Sequence, residues 1–341
     1  MNPSVAKEIG DRAVARGGFV NAHSHLDIAW VASLPLTAQL AREKGLSSPY
    51  EVAQLPLREK IDFLDLRLRG DPEHLRSLRP RMERTLDALL EGHGRACRTC
   101  ITVGTELGSD ALDIAADVKE AYAGRLVLQI TALHLRGILD DSAERAAFER
   151  ACRHRAVDVV GGLPQVGCSD LGKYLELLFE LSDAVGKPLE VHTDELLTPD
   201  EQETGVFAGI AALHRRRGYD RRLSVVHCAA LAARPPGERR KVAARLAEAE
   251  VGVIVCPRSA IGIASLDRPT HLHNCVAPLR DLLAEGVLVA LGTDNINDIF
   301  VPFSHGDLIE ELDFLAEATR FYDLDVLADI ASRNGARVLG L

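Results

Sequence analysis

The chain alternates short apolar runs with longer amphipathic segments along most of its length, and this alternation limits its possible folds more than any other feature. Short apolar runs are typical of strands buried on both faces, and the segments between them place apolar residues at helical spacing. The predicted strands are Phe19–Val20, Ala96–Val103, Leu126–Ala132, Val157–Gly161, Leu189–His192, Leu223–His227, Val251–Cys256 and Val287–Gly292.

Helices are predicted between these strands and after the last one. Strands separated in this way run parallel with right-handed crossovers, and eight such units favour closure into a (β/α)8 TIM barrel of the α/β class, formed as one domain by residues 1–341. An open doubly wound sheet is the alternative, but no glycine-rich phosphate loop follows the first strand. The predicted helices are Ser109–Tyr122, Ser142–Arg153, Leu171–Val185, Asp200–Arg217, Gly237–Glu250, Val276–Glu285, Gly306–Thr319 and Leu324–Leu339.

Residues 34–91 interrupt the alternation after the first strand. Their pattern is mostly helical and is punctuated by prolines, and the run from Lys60 to Leu68 places apolar side chains on one face. We interpret this segment as a helical insertion that covers the mouth of the barrel as a lid or serves as a subunit interface.

Charge and composition exclude several classes of partner. The chain has 40 basic and 50 acidic side chains, a net charge of -10, and its arginines are scattered among acids, so no basic stripe for nucleic acid is present. No leader or membrane-spanning stretch is recognisable, and the sequence therefore predicts a soluble cytoplasmic protein without a membrane partner. A homo-oligomer is left open as an alternative to a monomer. The seven cysteines do not require disulfides, and Cys97 and Cys100 are interpreted as strand residues.

Polar residues that suit a metal follow several of the predicted strands. His23 and His25 come after the first strand, where residues two apart project to the same side, while His192 ends the fifth strand and Asp294 follows the eighth. Barrels of this kind build their active sites at the carboxyl ends of the strands. Three imidazoles and one carboxylate suit Zn²⁺ or Fe²⁺ with a further position for water. The fourth strand has no lysine to bridge two metals, so one divalent ion is expected.

Catalytic groups are predicted at the same strand ends. Glu195 lies just beyond His192 and is the candidate general acid/base, although it could instead cap the following helix. His227 ends the sixth strand, where it would polarise water or a developing oxyanion, or serve as a buried structural histidine. Asp294 is a candidate for both metal ligation and proton transfer.

Together these residues give the chain a resemblance to the amidohydrolase superfamily, and most of all to its cytosine deaminase branch. The resemblance extends from about Phe19 to Leu341, and it implies a mononuclear iron or zinc hydrolase that attacks a cyclic amidine or amide carbon, with Glu195, His227 and Asp294 moving and orienting protons. The stretches that carry it are His23-Ser-His25, His192-Thr-Asp-Glu195, His227, Val255-Cys-Pro-Arg-Ser and Gly292-Thr-Asp-Asn295.

The residues that would contact the substrate depart from that branch. The resemblance implies a glutamine after the third strand, whereas this chain has Leu135 preceded by His134. Gln165, after the fourth strand, is a substitute candidate, and Asn295 and Phe300 stand where the branch tends to have an acid and a tryptophan. Many relatives also carry a small β-sandwich, for which this chain has no room, so a bare barrel is expected.

The leading hypothesis is a metal-dependent amidohydrolase that deaminates a small, cytosine-like nitrogen heterocycle by attack of a metal-bound hydroxide. Ring opening of a cyclic amide is the alternative chemistry. A metal-binding barrel without catalytic activity is the alternative from another class of protein.

Overall fold

Eight parallel strands form one sheet whose spatial order follows the chain. The computed structural model describes residues 1–105, 107, 109–164, 168–195, 201–262 and 276–341. Within them, every strand belongs to this sheet, as expected for a barrel without a β-sandwich. The strands are β1 (Phe19–Asn21), β2 (Gly94–Thr102), β3 (Val127–Leu133), β4 (Val159–Gly162), β5 (Leu189–Thr193), β6 (Leu223–His227), β7 (Gly252–Val255) and β8 (Val289–Leu291).

Backbone hydrogen bonds join the last strand to the first and close the barrel. The Ala22 N–H donates to the Leu291 carbonyl at 2.9 Å, and the Asp294 N–H donates to the His23 carbonyl at 3.0 Å. The segments that follow β8 and β1 approach so closely that a Cβ atom on Gly292 would lie 2.8 Å from the His23 carbonyl oxygen. A glycine is therefore required where β8 meets β1, and the predicted (β/α)8 barrel is confirmed.

Helices connect the strands and surround the sheet. Most predicted helices are present with bounds shifted by a few residues. Two further helices, Pro3–Ala15 and Pro257–Gly262, have no counterpart among the predictions. The helices are α1 (Pro3–Ala15), α2 (Pro35–Glu43), α3 (Leu57–Phe63), α4 (Pro72–Glu91), α5 (Asp110–Ala121), α6 (Ser142–Cys152), α7 (Leu171–Val185), α8 (Glu201–Arg217), α9 (Pro236–Glu248), α10 (Pro257–Gly262), α11 (Leu279–Ala284), α12 (Leu308–Thr319), α13 (Leu324–Ile330) and α14 (Arg333–Leu339). None of the described helices is long and apolar enough to span a bilayer.

The prediction of one continuous helix over Leu324–Leu339 is wrong. The helix ends at Ile330, and Ser332 has a non-helical backbone (φ -136°, ψ -89°) before α14 begins. The break allows α14 to pack directly on the barrel: Asn334 Nδ2 donates to the Val289 carbonyl at 2.9 Å, and a Cβ on Gly335 would lie 2.8 Å from Val20. Close contact with β1 and β8 therefore outweighs the helical pattern of the sequence.

The segment between β1 and β2 forms α2, α3, α4, a 3₁₀ turn at Pro49–Gln54 and a π-helix at Leu64–Leu68. Its apolar side chains form a separate cluster with residues that follow β1 and β8, among them Ile28, Ile299 and Phe300. Arginine side chains attach it to the chain after β1: Arg81 Nη1 donates to the carbonyls of Asp27 (3.0 Å) and Ala29 (2.7 Å). The insertion is thus packed against the loops at the mouth of the barrel.

Glu311 makes the stability of this fold depend on pH. Its carboxylate is 1% exposed on α12 and accepts the Arg258 backbone N–H of α10 at 3.1 Å. Burial raises the pKa of Glu311 to about 8. Because the unfolded chain releases this proton near pH 4.5 and the folded chain near pH 8, stability is lost as the pH rises through that interval.

We therefore expect Glu311→Gln to stabilise the protein at pH 8.5 by an amount on the order of a few kcal/mol, with much less effect at pH 5. Urea unfolding of both proteins at the two pH values measures this difference. Equal free-energy changes at pH 5 and pH 8.5 would contradict the assignment.

Candidate active site

Four strand ends converge on one buried point at the barrel mouth. His23 and His25 follow β1, His192 lies in β5, His227 ends β6, and Asp294 follows β8. Asp294 Oδ1 lies 3.3 Å from His23 Nε2 and 3.1 Å from His25 Nε2, and His192 Nε2 lies 3.4 Å from His25 Nε2. The structure therefore brings together all four residues that the sequence predicts as metal ligands.

The backbone at these strand ends adopts the left-handed conformation. Asp194, His227 and Asp294 have φ values of 57°, 77° and 55°. This conformation costs on the order of 1 kcal/mol or more for a residue with a side chain, so it persists only where the surrounding structure enforces it. Its recurrence at three of the strand ends is typical of a functional site, because such strain is tolerated where it orients reactive groups.

Hydrogen bonds orient two of the imidazoles toward the centre. His23 Nδ1 donates to Glu190 Oε1 at 3.0 Å, and His192 Nδ1 donates to the Gly162 carbonyl at 3.3 Å. Because each acceptor takes a proton from Nδ1, Nε2 is the nitrogen that faces the shared point and that the neutral ring would offer to a metal.

The unsatisfied atoms at the centre fit a metal ion. His23 Nε2, His227 Nε2 and Asp294 Oδ1 are buried, and none has a hydrogen-bond partner among the residues that the structure describes. Buried polar atoms are normally paired, since an unpaired one costs about 1–3 kcal/mol. A divalent ion such as zinc or iron at this point would satisfy His23 Nε2 and Asp294 Oδ1 together, while His227 Nε2 is left to interact with the reacting groups.

Electrostatics at the centre also favour a cation. Burial opposes charge on His23, but the carboxylates of Glu190 and Asp294 raise the pKa of His23 to about 9. Burial lowers the pKa of His227 to about 4, so this ring is neutral at pH 7. Burial also opposes charge on Asp294, yet the adjacent His23 and His25 rings hold the pKa of Asp294 well below its usual range. The centre combines a carboxylate anion with imidazoles whose nitrogens suit a metal.

Two buried charges support this centre, and the sequence analysis missed both. Arg98 Nη1 donates to Glu190 Oε2 at 2.9 Å, and both side chains lie inside the barrel one layer below the histidines. Burial opposes ionisation of Glu190, but His23 and Arg98 hold the pKa of Glu190 at about 2. The available signal was a charged residue within an apolar strand, two positions before His192 and therefore on the same face.

Cys100 is a further residue whose proximity the sequence did not reveal. Its Sγ and the ring nitrogens of His23, His25 and His192 all lie within 4.8 Å of one another. Alternation along β2 explains this, because Cys100 is two residues after Arg98 and shares its inward face. Burial raises the pKa of the Cys100 thiol well above its ordinary value.

A cavity with about 490 Å³ of empty space, including the part open to solvent, lies beside the centre. Glu195 is half-buried in its wall together with His25, His192 and Asp294. Removal from water, together with the negative charge of Asp294, raises the pKa of Glu195 to about 7 against the opposing effect of His25 and His23. A carboxyl group with this pKa can hold or release a proton near neutral pH.

The predicted substrate residues occupy different environments. Leu135, Asn295 and Phe300 line the cavity, although Asn295 Nδ2 also donates to Asp298 Oδ2 at 2.6 Å within its own loop. His134 is not brought to the cavity: Nδ1 donates to the Arg136 carbonyl and Nε2 accepts from the Tyr174 hydroxyl, both at 2.8 Å. Gln165 lies outside the described residues.

Known proteins resemble this chain over most of its length. A model described as "Amidohydrolase family" matches residues 17–341. The chain is 27% identical over 259 residues to a protein named pterin deaminase from Rhizobium rhizogenes, a match covering 75% of this chain and 57% of that protein. It is 23% identical over 342 residues to an N-isopropylammelide isopropyl amidohydrolase from Pseudomonas sp., covering 95% of this chain and 74% of the relative. The chain thus spans little more than half the length of the pterin deaminase.

Solved structures share the fold. A 5-methylcytosine deaminase from Klebsiella pneumoniae, liganded with 5-fluorocytosine, matches with a TM-score of 0.80 and 24% identity over 95% of this chain and 75% of that one. A guanine deaminase from C. acetobutylicum with bound guanine matches with a TM-score of 0.60 and 13% identity, covering 95% of this chain and 73% of that one. At these identities the likeness establishes the architecture alone.

We expect Glu190→Gln to weaken binding of a divalent ion by roughly 10- to 100-fold, because the variant loses the charge that orients His23. Competition with a chromophoric chelator measures the affinity, and circular dichroism checks the fold. Glu149→Gln on the outer helix α6 is the matched control and should bind the ion as the wild type does. Unchanged affinity in folded Glu190→Gln would rule out this supporting role.

Proposed function

Because the chain belongs to the amidohydrolase family, we propose that it is a metal-dependent hydrolase that deaminates a small aminated nitrogen heterocycle, a cyclic amidine of the cytosine type. The observation that carries the proposal is the convergence of three imidazoles and one carboxylate beside a cavity that also contains Glu195. The names of the relatives, which include deaminases of pterin, 5-methylcytosine and guanine, support this class of substrate.

In this proposal one divalent ion, Zn²⁺ or Fe²⁺, is held by His23, His25, His192 and Asp294. When bound, such an ion lowers the pKa of a water molecule and polarises the group that reacts with it. Glu190 keeps the His23 ring in orientation by accepting its Nδ1 proton, and the Gly162 carbonyl does the same for His192. The donor set is therefore arranged before the substrate enters.

Glu195 is the proposed proton carrier. It takes one proton of the attacking water as the new carbon–oxygen bond forms and delivers it to the amine as the carbon–nitrogen bond breaks, so that ammonia leaves. The second proton of the water passes to the neighbouring ring nitrogen, and the oxygen remains on the ring as an oxo group. Its pKa near 7 allows both steps at neutral pH. Neutral His227, whose Nε2 lies 4.0 Å from Asp294 Oδ2, would stabilise the developing charge on the substrate or hold the proton-accepting carboxylate of Asp294.

The cavity also explains why water would be excluded during the reaction. Ile61 and Leu64 of the insertion and Leu133, Leu135 and Leu163 of the barrel contribute apolar surface around the polar centre. We propose that residues 34–91 act as a cover within a single barrel domain. A flat ring fits between such walls, and its exclusion from bulk water strengthens the interactions with Glu195 and Asp294.

Removing the ion should abolish activity, and adding back Zn²⁺ or Fe²⁺ should restore it. Glu195→Gln should lower kcat by roughly 10²- to 10⁴-fold while the ion remains bound, since the amide cannot carry the proton. Ammonia release over a panel of aminated pyrimidines, pterins and triazines measures both effects, and Glu149→Gln is the control.

Full activity in Glu195→Gln would remove Glu195 from the mechanism. Hydantoin-like rings belong in the same panel, because hydrolysis without ammonia release would identify ring opening of a cyclic amide instead. Failure of the purified protein to bind any divalent ion would contradict the proposed function as a whole.

A further inference from the structure

Arg69 brings a positive charge from the insertion to the cavity wall. The backbone N–H of Arg69 donates to the Leu64 carbonyl, five residues earlier, at 2.8 Å. The π-helical turn therefore determines where Arg69 lies. The side chain is only 4% exposed, and it lines the same cavity as Glu195, His25 and Asp294. Its neighbours on the insertion side of the cavity, Ile61 and Leu64, are apolar.

Two carboxylates hold the guanidinium in place without using all of its donors. Nη1 donates to Asp65 at 2.7 Å and Nη2 donates to Asp27 at 2.8 Å. Asp27 Oδ2 also accepts the Thr102 N–H at 3.1 Å, so the acceptor is itself anchored to β2. The planar group is therefore fixed at both ends, which leaves little freedom for it to turn toward another partner.

The Nε–H of Arg69 is the unused donor. Nε is buried and has no hydrogen-bond partner among the residues that the structure describes. Leu133, Leu135 and Leu163, which also line the cavity, have no side-chain acceptor to offer. Asp27 Oδ1 and Thr102 Oγ1 are buried acceptors nearby, but neither makes a hydrogen bond with Nε. A buried charged donor without an acceptor is unfavourable, and a ligand with an acceptor in the right place would correct this.

We propose that Arg69 selects the substrate by donating its Nε–H to an oxo oxygen or an anionic nitrogen of the ring, so that the preferred substrates are aminated heterocycles that also carry an oxo group. This inference rests on the proposed function, because it concerns the ring that Glu195 and the metal would act on. Rings that lack the acceptor leave the donor unpaired and are disfavoured.

A second cationic side chain of the insertion lies near the cavity. Lys60 of α3 is fully buried, and its Nζ lies 5.4 Å from the centre of the Phe300 ring, which lines the cavity. Its Nζ also donates to the Ala53 carbonyl at 3.3 Å. Lys60 thus lies behind the cavity wall, whereas the charge of Arg69 at the wall is balanced by Asp65 and Asp27.

Matched pairs of substrates test the role of Arg69. Cytosine is compared with 4-aminopyrimidine, and pterin with 2-aminopteridine, because the members of each pair differ in the oxo group. The wild type should favour the oxo member, and Arg69→Met should lower kcat/KM for that member by roughly 10- to 100-fold while affecting its partner much less. Arg79→Met, an exposed arginine of the same insertion, is the control and should preserve the preference.

A purely structural role for Arg69 would lower the activity on both members of a pair equally, and that result would overturn the proposal. If Arg69→Met does not fold, Arg69→Lys keeps the charge and loses the Nε–H, and an unchanged preference in this variant would overturn the proposal as well. Metal content is measured in each variant to separate loss of substrate selection from loss of the ion.

Binding measurements separate this inference from the proposed function. Uracil and lumazine, the oxo products of the two reactions, are titrated calorimetrically into wild type and Arg69→Met. Weaker binding to the variant supports the role of Arg69 even if no ring is deaminated. The absence of deamination would count against the proposed function alone. Equal binding to both proteins would overturn the role of Arg69.

Discussion

The candidate site depends on one buried carboxylate in the interior of the barrel. Glu190 accepts from Arg98 on one oxygen and from His23 on the other, so it links β2, β5 and the segment after β1. Breaking such a buried pair by removing one partner typically costs about 3–5 kcal/mol, because the remaining charge is left unpaired. The pair therefore links the stability of the barrel to the orientation of His23. The strand ends that carry the site lie directly above this layer and depend on it for their positions.

A second layer of charge joins the insertion to the site. Asp27, two residues after His25, accepts from Arg69, and Arg81 donates to the carbonyls of Asp27 and Ala29. The same short segment therefore carries a histidine of the centre and anchors the insertion. A displacement of the insertion would therefore change the position of the segment that carries His25.

The architecture could be predicted from the sequence because local signals and tertiary packing agree. Strands such as Leu223–His227 are buried on both faces, and helices such as Leu171–Val185 are long and amphipathic, so their patterns are unambiguous. The match to the amidohydrolase family confirms the resemblance predicted from the sequence. The four proposed ligands could be identified because parallel strands in a barrel bring their carboxyl ends to one face.

Other features depend on contacts between distant residues, which periodicity does not encode. Arg98 and Glu190 are 92 positions apart and meet only because the barrel closes. The break at Ser332 arises from the packing of α14 on β1 and β8, against a continuous helical pattern. His134 was predicted to contact the substrate from its place after β3, yet its hydrogen bonds with Arg136 and Tyr174 hold it within the barrel wall. In each case, tertiary contacts decide between local alternatives.

X-ray absorption spectroscopy at the metal edge of the purified protein tests the central claim most directly. The account predicts one zinc or iron per chain, with a first shell of nitrogen and oxygen that includes three imidazoles. A protein without a bound metal, or one with two metals per chain, would contradict the single-metal site. A sulfur atom in the first shell would contradict the ligand set and identify Cys100 as a ligand in its place.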